Sequence, residues 1–364
     1  MQTIERRKFL AGAGALGAAA FAGNSVGLAA AAKPRRIDVH HHYTPPAYLA
    51  YTKKYQSPSA PRASGMNTGS AYPGWTLDAD LADMDASGVE IALLSMTTPG
   101  FLSGERDEIR AVARACNEYA ADLKRDHRGR FGSFATLPMR DTDGALLETA
   151  YALDTLKAEG VGLYSSYGDK WLGDASFDPI CEELNRRKCV VYVHPIDPDC
   201  CRNTLPDVSD TVIEYGADTT RAIANLIFSG NTTRYPDIKW IFSHGGGMMP
   251  FVIERFIGGT SAEIVPGIVT KGQGANKPSK APAGALAEIR KMYFDCAQAA
   301  NPVAMRALKQ VAGVPQILFG TDYWYRSAKE TTQNLDGCGV FNAAELARIN
   351  SGNVLALLPS LKTL

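Results

Sequence analysis

The sequence predicts an α/β protein of the (β/α)8 TIM-barrel type, a single domain with loop insertions over the C-terminal face of the barrel. Three observations predict it. Eight short apolar runs recur between residues 36 and 323. Amphipathic, helix-like stretches separate them. Nearly all the runs are continuously apolar and not alternating, the pattern of parallel strands covered on both faces. The barrel domain is read as residues 33–364, which leaves room for insertions beyond the ~250 residues of a typical barrel.

Each element has its own signal. RRIDVHHH, with its core at 36–42, opens the series. LDADLADMDASG (77–88) follows, with Leu77, Leu81 and Met84 at helical spacing and Gly88 as its stop. IALLSM (91–96) reads as the second strand and DEIRAVARACNEYAADLKRDH (107–127) as a long helix. FGSFATLP (131–138) is the third strand. DTDGALLETAYALDTLKAEG (141–160) opens on Asp and Thr cap candidates and closes on Gly160. The remaining strands are VGLYSS (161–166), VVYVHP (190–195), KWIFSHGG (239–246), MYFDCA (292–297) and ILFGTDY (317–323). FDPICEELNRRK, TTRAIANLIFSG, PFVIERF and NPVAMRALKQVAG supply helices between them. Two stretches exceed what a barrel needs, 43–75 and 257–290, and both read as loops over the barrel mouth or as subunit-contact segments.

Residues 1–32 stand apart from this pattern. Arg6 and Arg7 precede Phe9 and Leu10, then comes a weakly apolar Ala/Gly run ending in Ala-x-Ala near Ala30 to Ala32. That is the layout of a twin-arginine-type signal peptide, and it predicts a periplasmic or secreted protein. The Ala/Gly run is a poor membrane anchor, which needs ~20 strongly apolar residues, so no stable membrane association is expected after cleavage. Glu5 and Ala11 depart from the usual signal pattern, and a cytoplasmic location follows if the signal is not used. Net charge is zero and no basic patch is interleaved with aromatics, which argues against nucleic acid as a partner. The seven cysteines form no CxxC pair and no small disulfide framework. Cys200 and Cys201 are adjacent, a spacing that rarely bridges, so most of the cysteines are expected to be free and buried.

Chemistry is expected where parallel barrels carry it, at the C-terminal strand ends. Five of the six histidines fall there: His40, His41 and His42 on the first strand, His194 on the fifth and His244 on the sixth. Asp322 ends the eighth. Side chains alternate along a strand, so His40 and His42 can face the barrel axis while His41 faces the helices. On this reading Ile37 and Val39 share the face of His41. A lone strand histidine is most often a hydrogen-bonded core residue, but several buried imidazoles gathered on one rim are costly without a partner. His40, His42, His194 and Asp322 form a three-nitrogen, one-oxygen set that suits one divalent metal ion, zinc first, with manganese, iron or cobalt as alternatives. His127 lies in a charged segment and is given no role.

IDVHHHYTPPAY, VVYVHPIDP, FSHGGGMMPF and ILFGTDY resemble the amidohydrolase superfamily, most closely its decarboxylase branch, the aminocarboxymuconate-semialdehyde decarboxylase-like enzymes. DTTRAIANLIFSG and HRGRFGSFATLP resemble members of 6-methylsalicylate decarboxylase type. The resemblance implies His40, His42, His194 and Asp322 as metal ligands and His244 as an acid/base beside the metal. It implies Asp322 as a second catalytic group that delivers a proton. It also implies that Arg255 reaches the substrate carboxylate of a neighbouring subunit in a homodimer. No lysine ends the fourth strand, so a lysine-bridged dinuclear site is not expected. The implied function is non-oxidative, metal-dependent decarboxylation of an aromatic or unsaturated (hydroxy)carboxylic acid, a small-molecule substrate. The alternative is a metal-dependent hydrolase of an amide, lactone or ester.

Overall fold

The computed structural model describes residues 35–55, 74–98, 100–101, 103–257 and 280–364. The expected signal at 1–32 lies outside the described residues, as do 56–73 and 258–279 within the two insertions. Ten strands follow in chain order: β1 (Arg36–Tyr43), β2 (Val89–Met96), β3 (Phe131–Thr136), β4 (Gly160–Tyr164), β5 (Ser166–Tyr167), β6 (Lys170–Trp171), β7 (Val190–His194), β8 (Lys239–Phe242), β9 (Tyr293–Asp295) and β10 (Ile317–Leu318). Eight of them form one parallel sheet in the order β1-β2-β3-β4-β7-β8-β9-β10. β5 and β6 form a small separate antiparallel hairpin at the end of β4, which the sequence pattern did not signal.

The sheet closes through the residues just beyond β10. Val39 N donates to Phe319 O (3.0 Å), Asp322 N to His40 O (2.8 Å) and His42 N to Tyr323 O (2.7 Å). The barrel predicted from eight apolar runs is therefore present, and the bonds that shut it run through Asp322 and the histidine strand.

Two apolar clusters explain why the runs are continuous. Ala92, Leu94, Val191, Val193 and Phe242 pack outward in one cluster with helix residues such as Ala113, Cys116, Ile223 and Leu226. Ile37, Val39, Leu93, Phe134, Tyr192, Ile241 and Leu318 form a second, interior cluster. Val354, Leu358 and Leu361 of the C-terminal segment join that interior cluster and plug the barrel at the end opposite the histidines. Each fully buried side chain of this kind contributes roughly 1.5–3 kcal/mol.

The placement of Ile37 and Val39 corrects the strict-alternation reading. They do not share the face of His41; they lie in the interior. The reason is a bulge. Between Asp38 and His41 the chain advances three residues while β2 advances two, from Ala92 to Leu94. The extra residue shifts the alternation by one. Asp38 holds the bulge: its Oδ1 accepts from His40 N (2.9 Å) and Thr321 N (3.1 Å), and its Oδ2 accepts from Thr321 Oγ1 (2.5 Å). Ile37, Val39, His40 and His42 thus face inward, and His41 faces out.

His41 sits between two buried carboxylates. Its Nδ1 is 2.9 Å from Asp38 Oδ2 and its Nε2 is 2.8 Å from Asp80 Oδ1, on the helix Leu77–Ser87. Its ring stacks on Tyr323 at 4.7 Å. Burial disfavours the charged ring, but Asp80 and Asp38 outweigh it and raise the pKa to about 10.

Three further expectations resolve here. Part of the 43–75 insertion is a helix, Pro46–Tyr55, with Tyr48 and Tyr51 buried. Proline at its first position and no internal glycine suit that. The other insertion contains a short helix, Ala285–Ile289. Cys200 and Cys201 are bonded to each other, contrary to the expectation for adjacent cysteines, while Cys116, Cys181, Cys189, Cys296 and Cys338 are free and buried.

The His41 arrangement generates a stability prediction. His41→Phe leaves Asp38 and Asp80 facing each other without a cation and should destabilise the fold by about 3–5 kcal/mol at neutral pH, read from denaturant midpoints. The folded pKa lies above the unfolded value of 6.5. The charged ring's contribution is therefore fully present below pH 6.5 and is lost as pH rises through about 10. The gap between the two proteins should narrow over that window; a gap that widens with pH would contradict the assignment.

Candidate active site

The interior end of the barrel gathers the predicted residues. His40, His42, His194 and Asp322 are all buried, and their donor atoms lie within 4.8 Å of one another. His40 and His42 come from β1, His194 ends β7, and Asp322 follows β10. His244 lies just past β8, with its ring centroid 4.8 Å from that of His40 and 5.5 Å from that of His194.

Each ring is turned the same way. His40 Nδ1 faces Asp295 Oδ2 at 2.8 Å, His42 Nδ1 faces Ser95 O at 3.3 Å, His194 Nδ1 faces Pro195 O at 2.7 Å and His244 Nδ1 faces Ala297 O at 3.1 Å. Backbone carbonyls only accept, so Nδ1 of His42, His194 and His244 carries the proton and Nε2 keeps its lone pair. His40 Nε2 lies 3.1 Å from His42 Nε2, and both approach Asp322 Oδ1, at 3.2 and 3.1 Å. Outward-held Nδ1 and free Nε2 is the arrangement that metal-binding histidines use.

The electrostatics follow from crowding. Burial disfavours charge on His40, but Asp295 and Asp322 raise its pKa to about 10. Burial lowers His42, and the charge on His40 lowers it further. Burial, then His42 and His40, hold His194 well below the usual histidine range. Burial and the charge on His40 lower His244 as well. Burial works against the Asp322 carboxylate, yet His40 keeps it well below the usual carboxylate range. The site therefore holds one imidazolium, His40, with three neutral imidazoles and one carboxylate.

A divalent cation fits this donor set. Asp322 Oδ1 is buried and has no hydrogen-bond partner among the described residues, although the Nε2 atoms of two imidazoles stand beside it. Three nitrogen donors and one carboxylate oxygen match the ligand preferences of zinc and of neighbouring first-row metals.

Backbone strain marks the same place. His244 (φ 53°), Asp322 (φ 64°) and Gln298 (φ 52°) adopt left-handed conformations without being glycine. Each such residue costs of order 1–3 kcal/mol and persists only where its surroundings force it. The Gly245–Gly247 stretch that follows His244 needs glycine for two reasons. All three have positive φ, and a Cβ at Gly247 would run into the Gly216 carbonyl.

Several site residues were not foreseen. Asp295, at the end of β9, holds His40 through Oδ2 while its Oδ1 accepts from His244 N (2.9 Å) and Ala297 N (3.0 Å). Its signal was present: an acid closing the seventh apolar run, MYFDCA. Gln298 donates from Nε2 to Asp322 Oδ2. Tyr325 and Tyr215 flank the cluster, with ring centroids 5.8 Å from His42 and 5.9 Å from His194. Their hydroxyls meet Thr97 Oγ1 (2.9 Å) and Thr98 Oγ1 (3.2 Å). Tyr323, next to Asp322 in the chain, packs on His41 outside the cluster. Arg255 is exposed on the helix Ile253–Ile257, and among the described residues of one chain no contact joins it to the cluster. β4 is followed by Ser165 and Ser166, and both hydroxyls bond to the buried Asp218.

Comparison with known proteins gives a consistent set of similarities. A family model described as amidohydrolase matches residues 37–359. The decarboxylase yanB of Aspergillus niger is 36% identical over 304 residues, covering 80% of this chain and 77% of the relative. The 6-methylsalicylic acid decarboxylase of Penicillium expansum is 33% identical over 336 residues, 90% of this chain and 97% of the relative. A solved 5-carboxyvanillate decarboxylase from Novosphingobium aromaticivorans, with bound manganese, superposes with a TM-score of 0.75 at 20% identity, covering 89% of this chain and 97% of that one.

Removing the carboxylate behind His40 tests the site's architecture. Asp295→Ala should weaken uptake of a divalent metal about 10- to 100-fold, measured by competition against a chelator. A proton on His40 must leave before Nε2 can serve a cation. With its pKa at about 10, metal uptake by the unmodified chain at pH 7–9 should release about one proton and weaken as pH falls.

Proposed function

The chain belongs to the amidohydrolase family, as a carboxy-lyase of its decarboxylase branch, and we propose that it is a metal-dependent, non-oxidative decarboxylase of an aromatic or unsaturated hydroxycarboxylic acid. The observation that carries this reading is the convergence of the His40, His42, His194 and Asp322 donor atoms within 4.8 Å, with a fourth, neutral imidazole beside them. The similarity to the yanB and 6-methylsalicylic acid decarboxylases supports it.

His40, His42, His194 and Asp322 would hold the cation, which when bound supplies Lewis acidity that orients the acid and stabilises negative charge on its oxygens. Zinc is the cation the donor set favours, with manganese as the rival outcome of metal analysis. The chain's own groups do the rest. Loss of CO2 from an arenoic acid needs a proton at the ring carbon that bears the carboxylate; the C–C electron pair then returns to the ring as CO2 leaves. His244 is placed to carry that proton. Its Nδ1–H is fixed on Ala297 O, so Nε2 can take a proton from the substrate hydroxyl or solvent and return it at carbon. Asp322 is the second group that can move a proton, through Oδ2, the oxygen turned away from the imidazoles and bonded to Gln298. Tyr215 and Tyr325 close the flanks, and their rings suit a flat substrate.

The test is gas evolution from a panel of hydroxybenzoates, run beside a panel of esters, lactones and amides. Release of CO2 with no hydrolysis supports the proposal, and the reverse outcome supports the hydrolase alternative. Two variants assign the roles. His194→Ala should lose metal and activity together. His244→Ala should keep its metal and lose at least 100-fold in kcat, the scale of general acid–base catalysis. Full metal content with an unchanged rate in either variant would contradict the assignment.

A further inference from the structure

The turn at residues 295–298 touches three of the five site residues at once. Asp295 Oδ2 holds His40 Nδ1 at 2.8 Å, Ala297 O accepts from His244 Nδ1 at 3.1 Å, and Gln298 Nε2 donates to Asp322 Oδ2. The last contact is the least expected. Gln298 is an exposed residue in a left-handed backbone conformation, yet its side chain reaches a carboxylate that is buried. An exposed glutamine is ordinarily solvated and free to rotate; this one is ordered against a single acceptor. The oxygen it holds is not the one that faces the imidazoles. Oδ1 stands 3.2 and 3.1 Å from His40 Nε2 and His42 Nε2 and has no hydrogen-bond partner among the described residues.

We propose that Gln298 is a positioning residue that makes Asp322 a one-oxygen ligand. By occupying Oδ2 it stops the carboxylate from swinging about its Cβ–Cγ bond, and Oδ1 alone is presented to a cation. A carboxylate free to rotate can offer both oxygens, which raises the coordination number and uses a place a substrate oxygen would take. The backbone supports the same end: Asp322 N is tied to His40 O at 2.8 Å, which anchors the residue from which the carboxylate extends. This inference rests on the metal reading given above but does not depend on whether the reaction is decarboxylation or hydrolysis.

Cobalt(II) is the probe, because its visible absorption reports coordination number directly. Metal-free full-length protein and the Gln298→Leu variant are titrated with cobalt, and binding and spectrum are recorded together. Leucine keeps the volume and removes the amide, and the exposed position makes the substitution mild for folding; thermal unfolding of both metal-free proteins checks this. The expected result is cobalt binding weakened about 10-fold or more, with lower visible absorption intensity as coordination expands, and an unchanged unfolding temperature. Gln298→Asn, too short to reach Oδ2, should behave like the leucine variant. A Gln298→Leu protein with the affinity and spectrum of the unmodified chain overturns the inference while leaving the metal reading intact. Failure of the unmodified chain to take up cobalt at all overturns the metal reading and this inference with it.

Discussion

The bulge in β1 is the constraint on which the site depends. A regular strand would alternate through 37 to 42, and Ile37 and Val39 could not share the barrel interior with His40 and His42. One extra residue between Asp38 and His41 permits both. The lower half of the strand then packs an apolar core, and the upper half presents two imidazoles with Nε2 atoms 3.1 Å apart. Asp38 makes the irregularity tolerable by accepting the His40 amide that the bulge turns out of the ladder. The same carboxylate receives Thr321 from the segment just after β10. Barrel closure and histidine placement are thus one set of bonds, not two.

Charge is organised in two layers around this strand. On the outer side, His41 is held cationic between Asp38 and Asp80. On the inner side, His40 is held cationic by Asp295 and Asp322. Four imidazoles packed with ring centroids about 5 Å apart cannot all carry charge, and the structure resolves the conflict by giving the proton to the ring with two carboxylates. The remaining three are left neutral, each with its Nε2 lone pair free. A divalent cation suits such a site because it replaces one proton and is met by the same carboxylates that held it.

Much of this was legible in the sequence, and the limits have a physical pattern. The eight apolar runs and the helices between them depend on local periodicity, so they could be read directly. His40, His42, His194, His244 and Asp322 were legible because each ends such a run. The bulge was not: no residue type announces it, and it arises from pairing with β2 and with residues near 321. Asp295 sat in plain view at a strand end, but its role depends on meeting His40, 255 positions away in the chain. Gln298 lies in a loop, where side-chain direction is set by a left-handed backbone that a non-glycine residue does not signal. The helix Pro46–Tyr55 was missed because its Pro- and Tyr-rich surroundings look like loop and its order comes from burying Tyr48 and Tyr51.

The two candidate proton carriers are not equivalent, and the geometry separates them. Asp322 has one oxygen toward the imidazoles and the other bonded to an amide, and positive charge next to it, from His40 or from a cation in its place, keeps it ionised. A group so placed binds well and donates a proton poorly. His244 has the opposite character. Its ring is neutral, one nitrogen is pinned to a backbone carbonyl, and its residue is only partly buried where it meets the barrel mouth. A neutral imidazole with one fixed N–H and one free lone pair can accept and return a proton without leaving its rotamer. The left-handed backbone at His244 and the glycines after it hold the ring at this place, and strain there is understandable if the ring must face the reacting carbon and not the apolar core below.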